Sequence, residues 1–168
     1  ALPEYMHLAY LPAPNIVRLR LSAYDVDKAE ATKAIECEFN KLSAVIGDNI
    51  VGYEGESIEH LIHQRLTERG LTLAVAESCT GGAIASKFTA MAGASQYFLA
   101  GVVSYSNESK RDILGVRMAD IVQYGAVSEE VARQMAEGVR RITGSDYALA
   151  TTGIAGPGGG SEAKPIGT

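Results

Sequence analysis

The sequence predicts an α/β protein: a three-layer sandwich on a largely parallel sheet, preceded by a small α+β segment. Three observations carry this. Beyond residue 56, short apolar runs (71–76, 100–106 and 146–151) alternate with stretches of helical periodicity, the pattern of strand–helix–strand units. Each run ends in small, hydroxyl-bearing or glycine residues, as a strand does where it turns into a loop or helix start. Residues 16–24 instead alternate apolar and polar, as a half-buried antiparallel strand does, so the first third belongs to a separate unit.

In that first part Val17, Leu19 and Leu21 face away from Arg18, Arg20 and Ser22. Asp25 introduces a helix to about Ile46, with Ala31, Ala34, Ile35, Phe39 and Leu42 on its apolar side. Gly47-Asp48-Asn49 punctuates it, and residues 50–53 read as a short second strand. Glu54-Gly55-Glu56 is the expected boundary, giving domains 1–53 and 54–168. A helix follows from Ser57, carried by Ile58, Leu61, Ile62 and Leu66 and closed by Gly70. The strand at 71–76 runs into Glu77-Ser78-Cys79-Thr80-Gly81-Gly82 and a helix to about Met91. The strand at 100–106 leads into a short helix ending near Leu114-Gly115. Ser128-Glu129-Glu130 opens a well-capped helix with Val131, Met135, Val139 and Ile142 on one face and Gly144 at its end. The strand at 146–151 enters a glycine-rich loop, and beyond Pro165-Ile166-Gly167-Thr168 a further strand is expected.

Composition narrows the function classes. The 168 residues are 46% hydrophobic, enough for a sizeable core, and the net charge of -5 argues against a nucleic-acid partner. The two cysteines, Cys37 and Cys79, form no CxxC, and His7, His60 and His63 complete no metal-ligand set, so no metal and no cofactor are expected. No apolar run approaches membrane-spanning length, and a cytoplasmic protein with no membrane partner is predicted.

Ligands of α/β sheets gather at the carboxyl ends of the strands. Here those ends carry Glu77 to Gly82, then Tyr105-Ser106-Asn107 with Lys110, then Thr152, Gly153 and Gly156 of the glycine loop. Ser78 and Cys79 are candidate nucleophiles beside main-chain donors at Thr80, Gly81 and Gly82 that suit an oxyanion; Ser78 or Thr80 also suits a helix cap. No histidine lies near enough for a Ser-His-Asp arrangement, so the base falls to Lys110, provided burial lowers its pKa. Tyr105 is a candidate proton relay. Ser78 is favoured over Cys79, because successive residues leaving a strand point oppositely and a small cysteine suits the core side. The Tyr105–Lys110 spacing and the Gly153-x-x-Gly156 loop miss the dehydrogenase patterns, which disfavours a dinucleotide enzyme.

These motifs in this order (Ala76 to Gly82, Tyr105-Ser106-Asn107 with Lys110, Gly125-Ala126-Val127-Ser128, and Gly153 to Pro157 with Lys164-Pro165) resemble the competence/damage-inducible CinA family over about residues 56–168. The resemblance implies a nicotinamide-nucleotide amidase, converting nicotinamide mononucleotide to nicotinate mononucleotide and ammonia. It implies catalytic Ser78, Lys110 and Tyr105, with Glu77, Thr80, Gly81, Gly82, Ser106, Asn107, Thr152, Gly153 and Gly156 around the substrate, and a homo-oligomer, most simply a dimer. Residues 1–53 resemble the family's small KH-like connecting domain, though they lack a basic Gly-x-x-Gly loop. The family's amidase domain continues past the point matching Thr168, so the sequence is expected to be truncated there. The alternative is a regulatory module that binds a nucleotide at the same rim without catalysis.

Overall fold

The computed structural model describes residues 2–13, 16–53 and 57–168. They fall into two compact units, divided between Glu54 and Gly55. The expected boundary tripeptide Glu54-Gly55-Glu56 itself lies outside the described residues.

In the first unit β1 (Met6–Ala13) pairs antiparallel with β2 (Ile16–Ala23), in a register running from Met6 opposite Ala23 to Ala13 opposite Ile16. The alternation at 16–24 forms the expected strand, but its partner is β1, which the sequence pattern did not reveal. Pro12 obscured it, since proline removes a ladder donor; in a two-stranded sheet every strand is an edge, where proline is tolerated. The helix α1 (Lys28–Ile46) starts one turn after β2, with the Asp27 carboxylate accepting from Ala29 N–H at 2.8 Å. Residues 50–53 are not a strand. The expected KH-like domain is therefore not present: two strands and one helix are formed, and of its described apolar side chains only Met6 is buried.

The second unit holds a three-stranded parallel sheet in the order β4–β3–β5. Here β3 is Leu73–Glu77, β4 is Phe98–Val103 and β5 is Tyr147–Thr151. With a strand on each side, β3 is buried along its whole length, which suits its short apolar run. Period-two alternation sends its side chains into two separate cores. Leu73 and Val75 pack with Leu66, Phe88 and Tyr97, beneath α2 (Ile58–Arg69) and α3 (Ala83–Thr89). Ala74 and Ala76 face Leu114, Val116, Ile121, Val131, Met135 and Val139. Those residues come from α4 (Asn107–Leu114), α5 (Met118–Tyr124), α6 (Glu129–Thr143) and the α4–α5 connection. The result is the predicted sandwich with helices on both faces.

Glycine allows the closest approach in this second layer. At Gly138 a Cβ would lie 2.0 Å from the Leu114 carbonyl oxygen, so α6 meets the end of α4 backbone to backbone. Arg141, one turn on, donates to that same carbonyl at 3.1 Å. Several boundaries differ from expectation: β3 starts at Leu73, β4 starts at Phe98 and stops at Val103 because Ser106 is already the cap of α4, and α3 ends at Thr89. The seven-residue α5 was not foreseen; Arg117 before it makes no side-chain cap.

Candidate active site

Parallel pairing brings three strand ends to one rim, with Glu77 opposite both Val103 and Thr151. Ser78 follows Glu77 and continues the Ala74–Ala76 side, toward α4. That helix is begun by the Ser106 hydroxyl, which accepts from Ser109 N–H at 3.1 Å. One turn in, Lys110 turns inward with Leu114, and only 1% of its surface is exposed. Its Nζ donates to Ser78 Oγ at 3.0 Å, to the Ser104 carbonyl at 2.8 Å and to the Tyr105 carbonyl at 3.1 Å. The sheet ladder extends one step to fix Ser104, whose N–H donates to the Glu77 carbonyl at 2.8 Å.

This arrangement governs the protonation of Lys110. Burial pushes the ammonium's pKa below its ordinary value, opposed only by the nearby Cys79 thiol. Two of the three contacts are carbonyl oxygens, which can only accept. A neutral amine has two N–H groups and one lone pair, so with the carbonyls holding both N–H groups the lone pair faces the Ser78 hydroxyl. The geometry suits an amine that takes the serine proton.

Glu77, expected to contact substrate, is instead 1% exposed and turned into the protein. Its carboxylate accepts from the N–H groups of Gly82 at 3.1 Å, Ile84 at 3.0 Å and Ala85 at 2.8 Å. Burial raises its pKa, but the Thr80 hydroxyl and these N–H donors outweigh burial and hold it below the usual carboxylate range. The turn from Ser78 to α3 needs glycine twice in the left-handed region, at Gly81 (φ 61°) and Gly82 (φ 101°).

Tyr105 also differs in orientation from the expectation. Its phenol points to solvent, 75% exposed, and only its carbonyl reaches Lys110. Residues leaving a strand alternate sides, and Ser104 takes the inward place. Asn107 is exposed at the start of α4. Thr80 Oγ1 lies 2.8 Å from Thr151 Oγ1, tying the β3 and β5 ends together. Thr152 Oγ1 donates to the Ala126 carbonyl at 2.9 Å. Cys79 is half-buried rather than in the core, and a Cβ on Gly153 would lie 3.1 Å from its Sγ. Gly156, at φ 83°, turns the loop against Ile166. Lys164 was not among the expected site residues, yet its Nζ bridges the carbonyls of Tyr124 and Val127, each at 2.6 Å. Main-chain roles such as those of Ser104 and Tyr105 leave no side-chain signature in a sequence. Among the described residues no three His, Cys, Asp or Glu side chains gather as metal ligands. No described helix is long and apolar enough to cross a membrane.

The fold and site define a class: a three-layer α/β domain with a buried serine–lysine pair at the carboxyl rim of a parallel sheet. The CinA C-terminal domain model matches residues 55–168, and the chain belongs to the CinA family. A putative competence-damage inducible protein of Desulforudis audaxviator is 48% identical over 160 residues, covering 95% of this chain and 39% of that protein. A CinA-like protein of Geobacter sulfurreducens is 46% identical over 161 residues, again covering 39% of its length. The chain thus spans about two-fifths of the curated relatives it matches. The crystal structure of the competence/damage inducible protein CihA from Agrobacterium tumefaciens superposes with a TM-score of 0.64 at 47% identity, over 65% of this chain and 66% of that one. A CinA superfamily protein from Escherichia coli gives 0.63 at 36% identity, over 73% and 74%.

Proposed function

We propose that this protein is an amidohydrolase that converts the carboxamide of nicotinamide mononucleotide to the carboxylate, releasing ammonia, in the cytoplasm. One observation carries the reaction class: the buried Lys110 amine within 3.0 Å of the Ser78 hydroxyl, anchored by two carbonyls and depressed in pKa by burial. The substrate is the one implied by the resemblance of the motifs around the pair to the CinA family, and family membership supports that reading. In this reading Lys110 takes the Ser78 proton as Oγ attacks the amide carbon, and the carbonyl oxygen becomes an oxyanion held by main-chain N–H groups. Lys110 then gives its proton to the leaving nitrogen, the C–N bond breaks and ammonia departs. Water, deprotonated by the same amine, attacks the ester, and Ser78 regains its proton as nicotinate mononucleotide leaves.

The test is incubation of the protein with nicotinamide mononucleotide, measuring ammonia by a coupled assay and the acid product by chromatography. Equimolar release of the two, absent in Ser78→Ala, is expected. Tight nucleotide binding with no ammonia would support the regulatory-module alternative and refute the amidase.

A further inference from the structure

The β3–α3 turn has a feature that the serine–lysine chemistry does not use. Between Gly81 and Ala85 every main-chain N–H is already engaged. Gly81 donates to the Ser78 carbonyl at 3.0 Å and Ala83 to the Thr80 carbonyl at 3.1 Å. Gly82, Ile84 and Ala85 all donate to the Glu77 carboxylate. Among the described residues, the N–H groups of Ser78, Cys79 and Thr80 are the ones in this turn that have no acceptor, and the latter two belong to residues beyond the nucleophile itself. These two directly follow Ser78, and the residue after a nucleophile is a recurrent source of oxyanion donors.

We infer that Glu77 is a positioning residue: its buried carboxylate occupies the start of α3, so that the oxyanion is received by the N–H groups of Cys79 and Thr80 and not by Gly81 or Gly82. This rests on the amidase reading and deepens it by assigning the donors. The physical argument is one of anchoring and orientation. Glu77 gathers three N–H donors on two oxygens, which ties the residue before Ser78 to the start of α3 and so fixes the turn between them. A fixed turn presents its free N–H groups in one direction before any charge develops, which is what makes oxyanion donors effective.

The replacement Glu77→Gln tests this with little change in shape. One carboxylate oxygen becomes an NH2 group, which faces an N–H donor instead of accepting from it, so the turn loses part of its anchor. Loss of an oxyanion donor costs about 10²-fold or more in kcat. The expected result is a kcat lowered at least about 10-fold with KM held within about 3-fold. Glu77→Ala should behave likewise and be partly restored by added formate, whose carboxylate fits the space vacated beside Gly82, Ile84 and Ala85; formate should leave the unaltered protein unchanged.

A second readout needs no amide substrate. An alkyl fluorophosphonate labels a competent serine: the Ser78 Oγ–P bond forms, the P–F bond breaks, fluoride leaves and the proton passes to Lys110. The phosphoryl oxygen occupies the oxyanion position, so labelling followed by mass spectrometry should be slowed in Glu77→Gln by a factor similar to the loss in kcat. Labelling of the unaltered protein without ammonia release would refute the nicotinamide mononucleotide substrate while leaving the Glu77 comparison readable. Equal labelling rates in the two proteins would overturn the inference. So would a KM rise at constant kcat, which would make Glu77 a substrate contact, or a lowered Tm with unchanged kcat, which would make it structural only. Absence of labelling in the unaltered protein would overturn both the inference and the amidase reading.

Discussion

Replacing Gly138 by alanine couples the packing of α6 to the chemistry of Lys110, which lies one turn before Leu114 on α4. Helix propensity alone favours the change, by about 1 kcal/mol for alanine over glycine inside a helix. The contact opposes it. The new Cβ would stand 2.0 Å from the Leu114 carbonyl oxygen and within 3.0 Å of the Leu114 Cα. Tolerable separation needs α4 and α6 to part by about 1 Å, and an added methyl in a filled core costs about 1–3 kcal/mol, more where backbone must move. A net loss of up to about 2 kcal/mol remains, and more if the backbone has to move, because the clash is with main chain rather than with a side chain that could rotate away. The same displacement draws Lys110 back from Ser78, now 3.0 Å away. A misplacement of about 1 Å can cost about 10²-fold in rate. Thermal unfolding followed by circular dichroism reads the first effect, and ammonia release per mole of folded protein reads the second. An unchanged Tm together with an unchanged kcat would refute the coupling of α6, α4 and the base. Reduced stability with full activity would show that Lys110 is held by the strand-end carbonyls and not by its helix.

The other expectations concern single groups. The rate should rise with pH along a limb set by Lys110: an ordinary lysine, at 10.5, leaves about one amine in 3,000 neutral at pH 7, and burial moves the midpoint down. The sign is consistent in stability, since the unfolded chain binds the proton that folded Lys110 releases; this contribution grows as pH rises from the lowered pKa to 10.5. A pH–rate profile with its ascending limb at or above 10.5 would remove Lys110 from the base role. Ser78→Ala should abolish ammonia release and Cys79→Ala should retain most of it; the reverse pattern, with sensitivity to thiol reagents, would move the nucleophile to Cys79. Tyr105→Phe should leave kcat within about 3-fold, because the phenol is 75% exposed and the carbonyl that holds Lys110 survives; a loss beyond 10² would restore the tyrosine as a proton relay. Glu59, bonded to Lys87 of α3 at 2.6 Å, has its carboxyl lowered to about 2 chiefly by that bond. The pair's contribution is present above 4.5 and lost as pH falls toward 2, and Glu59→Gln should cost no more than about 1 kcal/mol because Lys87 is exposed. Denaturant melts at pH 7 and pH 3 check this; equal losses at both would exclude the ion pair as the cause.

Much of the second unit was legible in one dimension because its signals are local. Period-two and helical apolar patterns, the Ser57 and Ser128 helix starts and the closing glycines at 70, 115 and 144 all act within a few residues, and each of these serines and glycines stands at an observed helix end. The serine and lysine of the site were legible for a related reason: strand ends of a parallel sheet share a rim whatever the sheet's details. The strand β1 was not, because Pro12 is acceptable only on an edge, and edges exist only once strands are paired. The orientations of Glu77 and Tyr105 were decided by tertiary structure alone. A carboxylate beside a nucleophile reads equally as a substrate contact or an internal anchor; the free N–H groups at the start of α3 chose the anchor. A tyrosine five residues before a lysine reads as its partner. The alternation of side chains leaving β4 put Ser104 inward and the phenol in solvent, and left the carbonyl to hold the amine. The sequence determined which groups reach the rim; which of them turn toward the serine is set by side-chain parity and by hydrogen-bond demands that exist only after the chain has folded.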